Sequence, residues 1–72
     1  MEKDFSKLVG LIIEKFGTRK AFCEKWGRTH TYLSRKLNNI SSFTADDITE
    51  IIEILGIDPR DISVYFFTPK VR

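Results

Sequence analysis

The 72 residues predict an all-α fold, a compact bundle of five short helices. Three observations carry that expectation. Apolar residues recur three and four apart in successive windows, the spacing that gathers them on one face of a helix. Most windows open on a Thr or Asp suited to cap the first turn and several close on glycine, the residue that tolerates a left-handed exit. Strand signals are weak throughout, and no internal repeat, linker or low-complexity segment interrupts the pattern.

The first helix is expected over about 5–16. Asp4 stands where an N-cap belongs, and Phe5, Leu8, Ile12 and Phe16 form a stripe that Val9, Leu11 and Ile13 broaden. Gly10 inside it costs about 1 kcal/mol relative to alanine, which a close packing contact would explain. Gly17 ends this helix and Thr18 caps the next, expected over 19–26, where Ala21, Phe22 and Trp26 alternate with Arg19, Lys20, Glu24 and Lys25. Gly27 sits where a tight turn needs positive φ. Thr29 caps a third helix over 30–38, with Leu33 and Leu37 pointing to the core.

A loop dense in turn formers follows, Asn38-Asn39-Ile40-Ser41-Ser42. Thr44 and Asp47 then make a near capping box for a fourth helix over 45–55, with Phe43 placed to staple onto Ile48. Ile48, Ile51, Ile52 and Leu55 supply its buried face, and Gly56 stops it. Asp58 and Pro59 open a fifth helix over 59–66, where Asp61 follows in the first turn and Ile57 can staple to Ile62. The tail is 67–72. Tyr65-Phe66-Phe67 either closes the base of the core or offers an apolar surface to a second subunit.

Length allows one domain, residues 1–72, whose stability is expected to be roughly 3–5 kcal/mol at this size. No apolar run approaches the roughly 18 residues of a membrane span, and no secretory signal is read. Cys23 has no second cysteine to pair with, and one Cys with one His makes metal binding a poor expectation. These features point nowhere outside a reducing cytosol. An enzyme is not expected either: no nucleophile–base pair, metal set or glycine-rich phosphate loop is present. Asp46 and Asp47 look like paired carboxylates, but their place at a helix start explains them through the macrodipole. No cofactor or small-molecule substrate is implied.

The net charge of +2 is unevenly distributed. Residues 1–40 carry nine Lys/Arg against four Asp/Glu, a net of +5, and residues 41–72 three against six, a net of −3. No acidic residue lies between Glu24 and Asp46, while Lys25, Arg28, Arg35 and Lys36 do. Such a stretch suits a polyanion or the acidic patch of a protein.

The unit Arg19–Asn38 has the grammar of a helix-turn-helix. Its second helix starts Thr29-His30-Thr31-Tyr32 and lacks the Gln or Arg that reads bases in bidentate fashion. Arg28, Arg35 and Lys36 are better placed for phosphates or carboxylates. Trp26 is either core or the edge of an interface, where tryptophan is favoured as an anchor. The candidate partner- or DNA-binding residues are therefore Trp26, Arg28, Thr29, His30, Thr31, Tyr32, Arg35 and Lys36. Of these, His30, Thr31, Tyr32, Arg35 and Lys36 are expected to face solvent or the bound partner. Cys23 is read as core packing.

The segments FGTRKAFCEKWG, YLSRKLNN, FTADDI and LGIDPRDISVYFF, in this order, resemble the small Cro/CI-type helix-turn-helix regulators of temperate phages of Gram-positive bacteria. The resemblance spans nearly the whole chain and is strongest toward antirepressors of the modulator-of-repression kind. It implies a lambda-repressor-like DNA-binding fold and a role in the lysis–lysogeny switch. The implied partner is the N-terminal domain of the phage CI repressor, held by the helix-turn-helix face so that operator contact is blocked. Operator DNA stays open as an alternative, bound in Cro-like fashion by the third helix or together with the repressor. The chain departs from the general pattern at Arg28, where a hydrophobic residue commonly follows the turn glycine.

Overall fold

The structure is a computed structural model, described here over residues 2–71. Five α-helices follow one another: α1 Ser6–Phe16, α2 Arg19–Trp26, α3 His30–Leu37, α4 Ala45–Leu55 and α5 Ile62–Phe66. A 3₁₀ turn, Pro59–Asp61, leads into α5. What reads in sequence as one helix from 59 to 66 is thus two pieces. Asp58 accepts the Arg60 N–H at 2.9 Å, which serves the tighter turn, and no side chain caps α5 itself. No named strand occurs among the described residues.

The core is built where the stripes meet. Leu8 and Ile12 of α1, Phe22 and Cys23 of α2, Leu33 of α3, Ile51 and Leu55 of α4 and Phe66 of α5 are all buried. Most of the expected caps are present as hydrogen bonds. The Thr18 hydroxyl accepts from the Ala21 N–H at 3.1 Å, and that of Thr44 from the Asp47 N–H at 3.0 Å. Asp47 returns the bond by accepting from the Thr44 N–H at 2.9 Å, closing the box.

Three local expectations are corrected. Asp4 is not the N-cap of α1; that position falls to Phe5, whose side chain cannot accept a bond, while Asp4 accepts the Ser6 N–H at 2.8 Å in an Asx turn. Gly10 has no packing partner to explain it: a Cβ built there meets nothing within 4 Å. Ile13, expected to widen the buried stripe, is 43% exposed.

The aromatic tail divides. Phe66 is buried in the core, and Phe67 is 50% exposed with the Lys3 ammonium 6.0 Å from its ring centre. Beyond α5 the chain turns back along the N-terminal residues. The Asp4 N–H donates to the Thr68 carbonyl at 2.8 Å, and the Lys70 N–H to the Glu2 carbonyl at 3.0 Å. Asn39, in the left-handed region at φ 62°, completes this clasp. Its side chain accepts from the Lys3 N–H at 2.9 Å and donates to the Lys3 carbonyl at 3.0 Å.

Candidate functional site: the face built by α2 and α3

Helices α2 and α3 are joined by Gly27-Arg28-Thr29. Gly27 has φ 84° and donates to the Cys23 carbonyl at 2.8 Å, satisfying an end carbonyl of α2. At this φ a side chain would be strained, so glycine suits the turn. The Thr29 hydroxyl accepts from the Tyr32 N–H at 3.1 Å, which starts α3 at once. Three residues therefore join one helix to the next, and Trp26, Arg28 and Tyr32 come together around them.

Their geometry is specific. The Tyr32 ring meets the Trp26 ring edge-on at 5.6 Å and 70°. The Arg28 guanidinium lies 5.7 Å from the Trp26 ring centre and 5.1 Å from that of Tyr32, within cation–π range of both. Helix α4 supplies the polar anchor. Trp26 Nε1 donates to Glu50 Oε1 at 2.8 Å, and Arg28 Nη2 stands 3.6 Å from the same oxygen.

A second polar cluster lies deeper. Asp47, 1% exposed, accepts from the Tyr32 hydroxyl at 2.9 Å as well as from Thr44. Lys36 is 8% exposed. Its ammonium donates to the Ser42 carbonyl at 2.7 Å, stands 3.6 Å from Asp47 Oδ2 and lies 4.7 Å from the Tyr32 ring centre. Burial pushes the Asp47 carboxyl up, but the bonds from Thr44 and Tyr32 and the Lys36 charge outweigh it and hold the group below the ordinary carboxylate range. Burial pushes the Cys23 thiol up, which suits packing rather than reactivity.

The expected set thus separates. Arg28, Thr29, His30, Thr31 and Arg35 are exposed around the turn and along α3. Trp26 is buried, with its one polar atom satisfied by Glu50. Tyr32 is half-buried and its hydroxyl points inward. Lys36, expected to face solvent, is turned into the protein because two acceptors, the Ser42 carbonyl and Asp47, await it there. Sequence reasoning missed Glu50, although a buried indole N–H requires an acceptor and so gave notice of one. It read Asp47 as a helix-start residue and missed its ties to α3.

Among the described residues, no group of His, Cys, Asp and Glu could hold a metal ion. No helix among them is long and apolar enough to cross a membrane. The fold and this face define a class: a small all-helical protein that presents a mixed aromatic, basic and acidic surface at a three-residue turn. Residues 1–69 match the model of the family described as "Protein of unknown function (DUF739)", and the chain belongs to that family. It is also similar to a solved structure, the modulator of repression (MOR) of the temperate bacteriophage TP901-1 from Lactococcus lactis. The two share 38% identity over 100% of this chain and 97% of the other, with a TM-score of 0.83. No curated protein matches the chain.

Proposed function

We propose that this protein is a regulator of a phage lysis–lysogeny switch that acts as an antirepressor in the bacterial cytoplasm. It binds the N-terminal, DNA-binding domain of a CI-type repressor through the α2–α3 face and blocks operator contact. Regulation is supported by similarity to a protein named for modulating repression. The choice of a protein target over DNA rests on one observation, the inward turn of Lys36. It leaves Arg28 and Arg35 as the exposed cations among the candidate residues, and Arg28 already has Glu50 beside it. Thr29, His30 and Thr31, at the start of α3, form no bidentate base-reading set. With two exposed cations among the candidate residues and carboxylates at its edge, the turn and the start of α3 suit a protein surface better than a phosphate backbone.

The test is fluorescence anisotropy on a labelled operator duplex already loaded with the CI-type repressor of the same phage, titrated with this protein, beside the naked duplex. An antirepressor releases the DNA and ignores the naked operator. Binding to naked operator at nanomolar concentration, fading steeply with salt, would overturn the proposal and make the protein a Cro-like repressor that reads the major groove with α3.

A further inference from the structure

A surface that grips DNA must present cations to the phosphates. A chain that covers such a surface therefore meets lysines and arginines taken out of water. Burying them without acceptors is costly, and apposing like charges costs more. Helix α3 has no acid to offer, since none occurs between Glu24 and Asp46. Asp47 is committed inward to Thr44, Tyr32 and Lys36. Carboxylates from the middle of α4 stand beside Trp26 and Arg28.

Glu50 and Glu53, one turn apart on α4, line an open cleft of about 280 Å³ together with Trp26, Gly27, Arg28 and Ile54. The cleft already holds a guanidinium of the protein's own. That of Arg28 lies against the Trp26 and Tyr32 rings and 3.6 Å from Glu50. Glu53, on the same lining, is exposed and has no hydrogen-bond or ion-pair partner among the described residues. The site thus combines a ring surface and an aliphatic side chain, for the stem of a long cationic residue, with an unengaged carboxylate for its head.

We propose that this cleft receives an arginine or lysine from the DNA-contacting surface of the repressor. Glu53 is its main acceptor, Glu50 the second, and Trp26 and Ile54 lie along its stem. The inference rests on the antirepressor reading and supplies the charge complement that reading requires. A phosphate backbone would here meet two carboxylates against the single guanidinium of Arg28.

The same operator-release titration tests it with Glu53→Lys, Glu53→Gln and, as a control on α1, Glu14→Lys. Because Glu53 is exposed and bonded to nothing described, far-UV circular dichroism and the melting temperature are expected to stay at the wild-type values. The concentration needed for half-release rises about tenfold or more for Glu53→Lys and about threefold to tenfold for Glu53→Gln, the range of a rim-to-buried charge contact. It stays within about twofold for Glu14→Lys. Release by the wild type with no change in Glu53→Lys overturns the cleft proposal and leaves the antirepressor reading standing. Failure of the wild type to release or bind the repressor overturns the antirepressor reading itself, and the cleft proposal with it. Tighter binding of naked operator by Glu53→Lys than by both wild type and the charge-matched Glu14→Lys also overturns the cleft proposal, because the cleft then faces DNA.

Discussion

Two chains of aromatic rings run through this small protein, and they are built in opposite ways. One joins Phe16, Phe22, Trp26 and Tyr32, with successive ring centres 5.5, 5.7 and 5.6 Å apart. It reaches the surface and ends among charges: Glu50 on the indole, Asp47 on the phenol, Arg28 over both rings. The other joins Phe5, Phe43 and Phe66 edge-on at 5.2 and 5.3 Å, with no charged group ending it. The first draws its rings from α1, α2 and the start of α3, near in sequence. The second ties together the two ends of the chain and the loop before α4. One turns aromatic mass into a patterned surface; the other uses it to hold the chain closed. Their sensitivities should differ accordingly.

The largest expected effect breaks the second chain. Phe66→Ala removes a fully buried ring and its contact with Phe43, a loss of about 3–5 kcal/mol for such a substitution. That equals the whole stability expected of a domain this size, roughly 3–5 kcal/mol. The variant should be largely unfolded at 25 °C, visible as lost helical circular dichroism and a shifted emission of Trp26, the sole tryptophan. A folded variant would mean that the closure is carried by the backbone clasp between residues 2–4 and 68–70 rather than by the rings.

A smaller effect is expected at the polar end of the first chain, and it depends on pH. Asp47→Asn keeps the shape but withdraws the charge that faces Lys36 and accepts from Tyr32 and Thr44. The cost is about 2–3 kcal/mol near neutrality, as for a partner lost from a buried charged network. The Asp47 carboxyl lies below its ordinary value when folded, so the unfolded chain binds the proton first. The carboxylate's contribution is complete above the unfolded value of about 4. It is lost as pH falls through the lower folded value. Urea midpoints should therefore show the gap between wild type and variant closing between pH 5 and the acid limit. A gap that is the same at pH 7 and at the lowest folded pH would refute the assignment of that stability to the Asp47 charge.

The same contrast explains what could be read from the sequence. Caps are local: Thr18, Thr29 and Thr44 each meet a backbone N–H three residues on, so residue type and spacing were enough. Gly27 was legible for the same reason, because only a tight turn separates two apolar stripes there. Lys36 was not. On a helical wheel it borders Leu33 and Tyr32, a position from which a lysine can lie outward or be drawn in. The choice is made by Asp47, 11 residues on and on another helix, and by the Ser42 carbonyl. Asn39 reads as a turn former, and its φ of 62° agrees, yet its pairing with Lys3 spans 36 positions and leaves no local trace. The candidate site was legible as a region. Which of its side chains face outward was decided by α4.

The smallest expected effect lies outside both ring chains and separates stability from surface. Gly10 is an exposed helical residue of α1, and a Cβ there meets nothing within 4 Å. Nothing in the structure explains a glycine at this place. Gly10→Ala should therefore gain about 1 kcal/mol through helix propensity alone, raising the melting temperature by roughly 4–8 °C in a domain this small. It touches neither the Trp26–Tyr32 cluster nor the cleft at Glu53, so the operator-release titration should be unchanged. If the variant melts higher and releases the operator less well, the outer side of α1 belongs to the interface and the proposed face is drawn too narrowly. If it melts lower, the backbone at Gly10 is tighter than an open helical position allows.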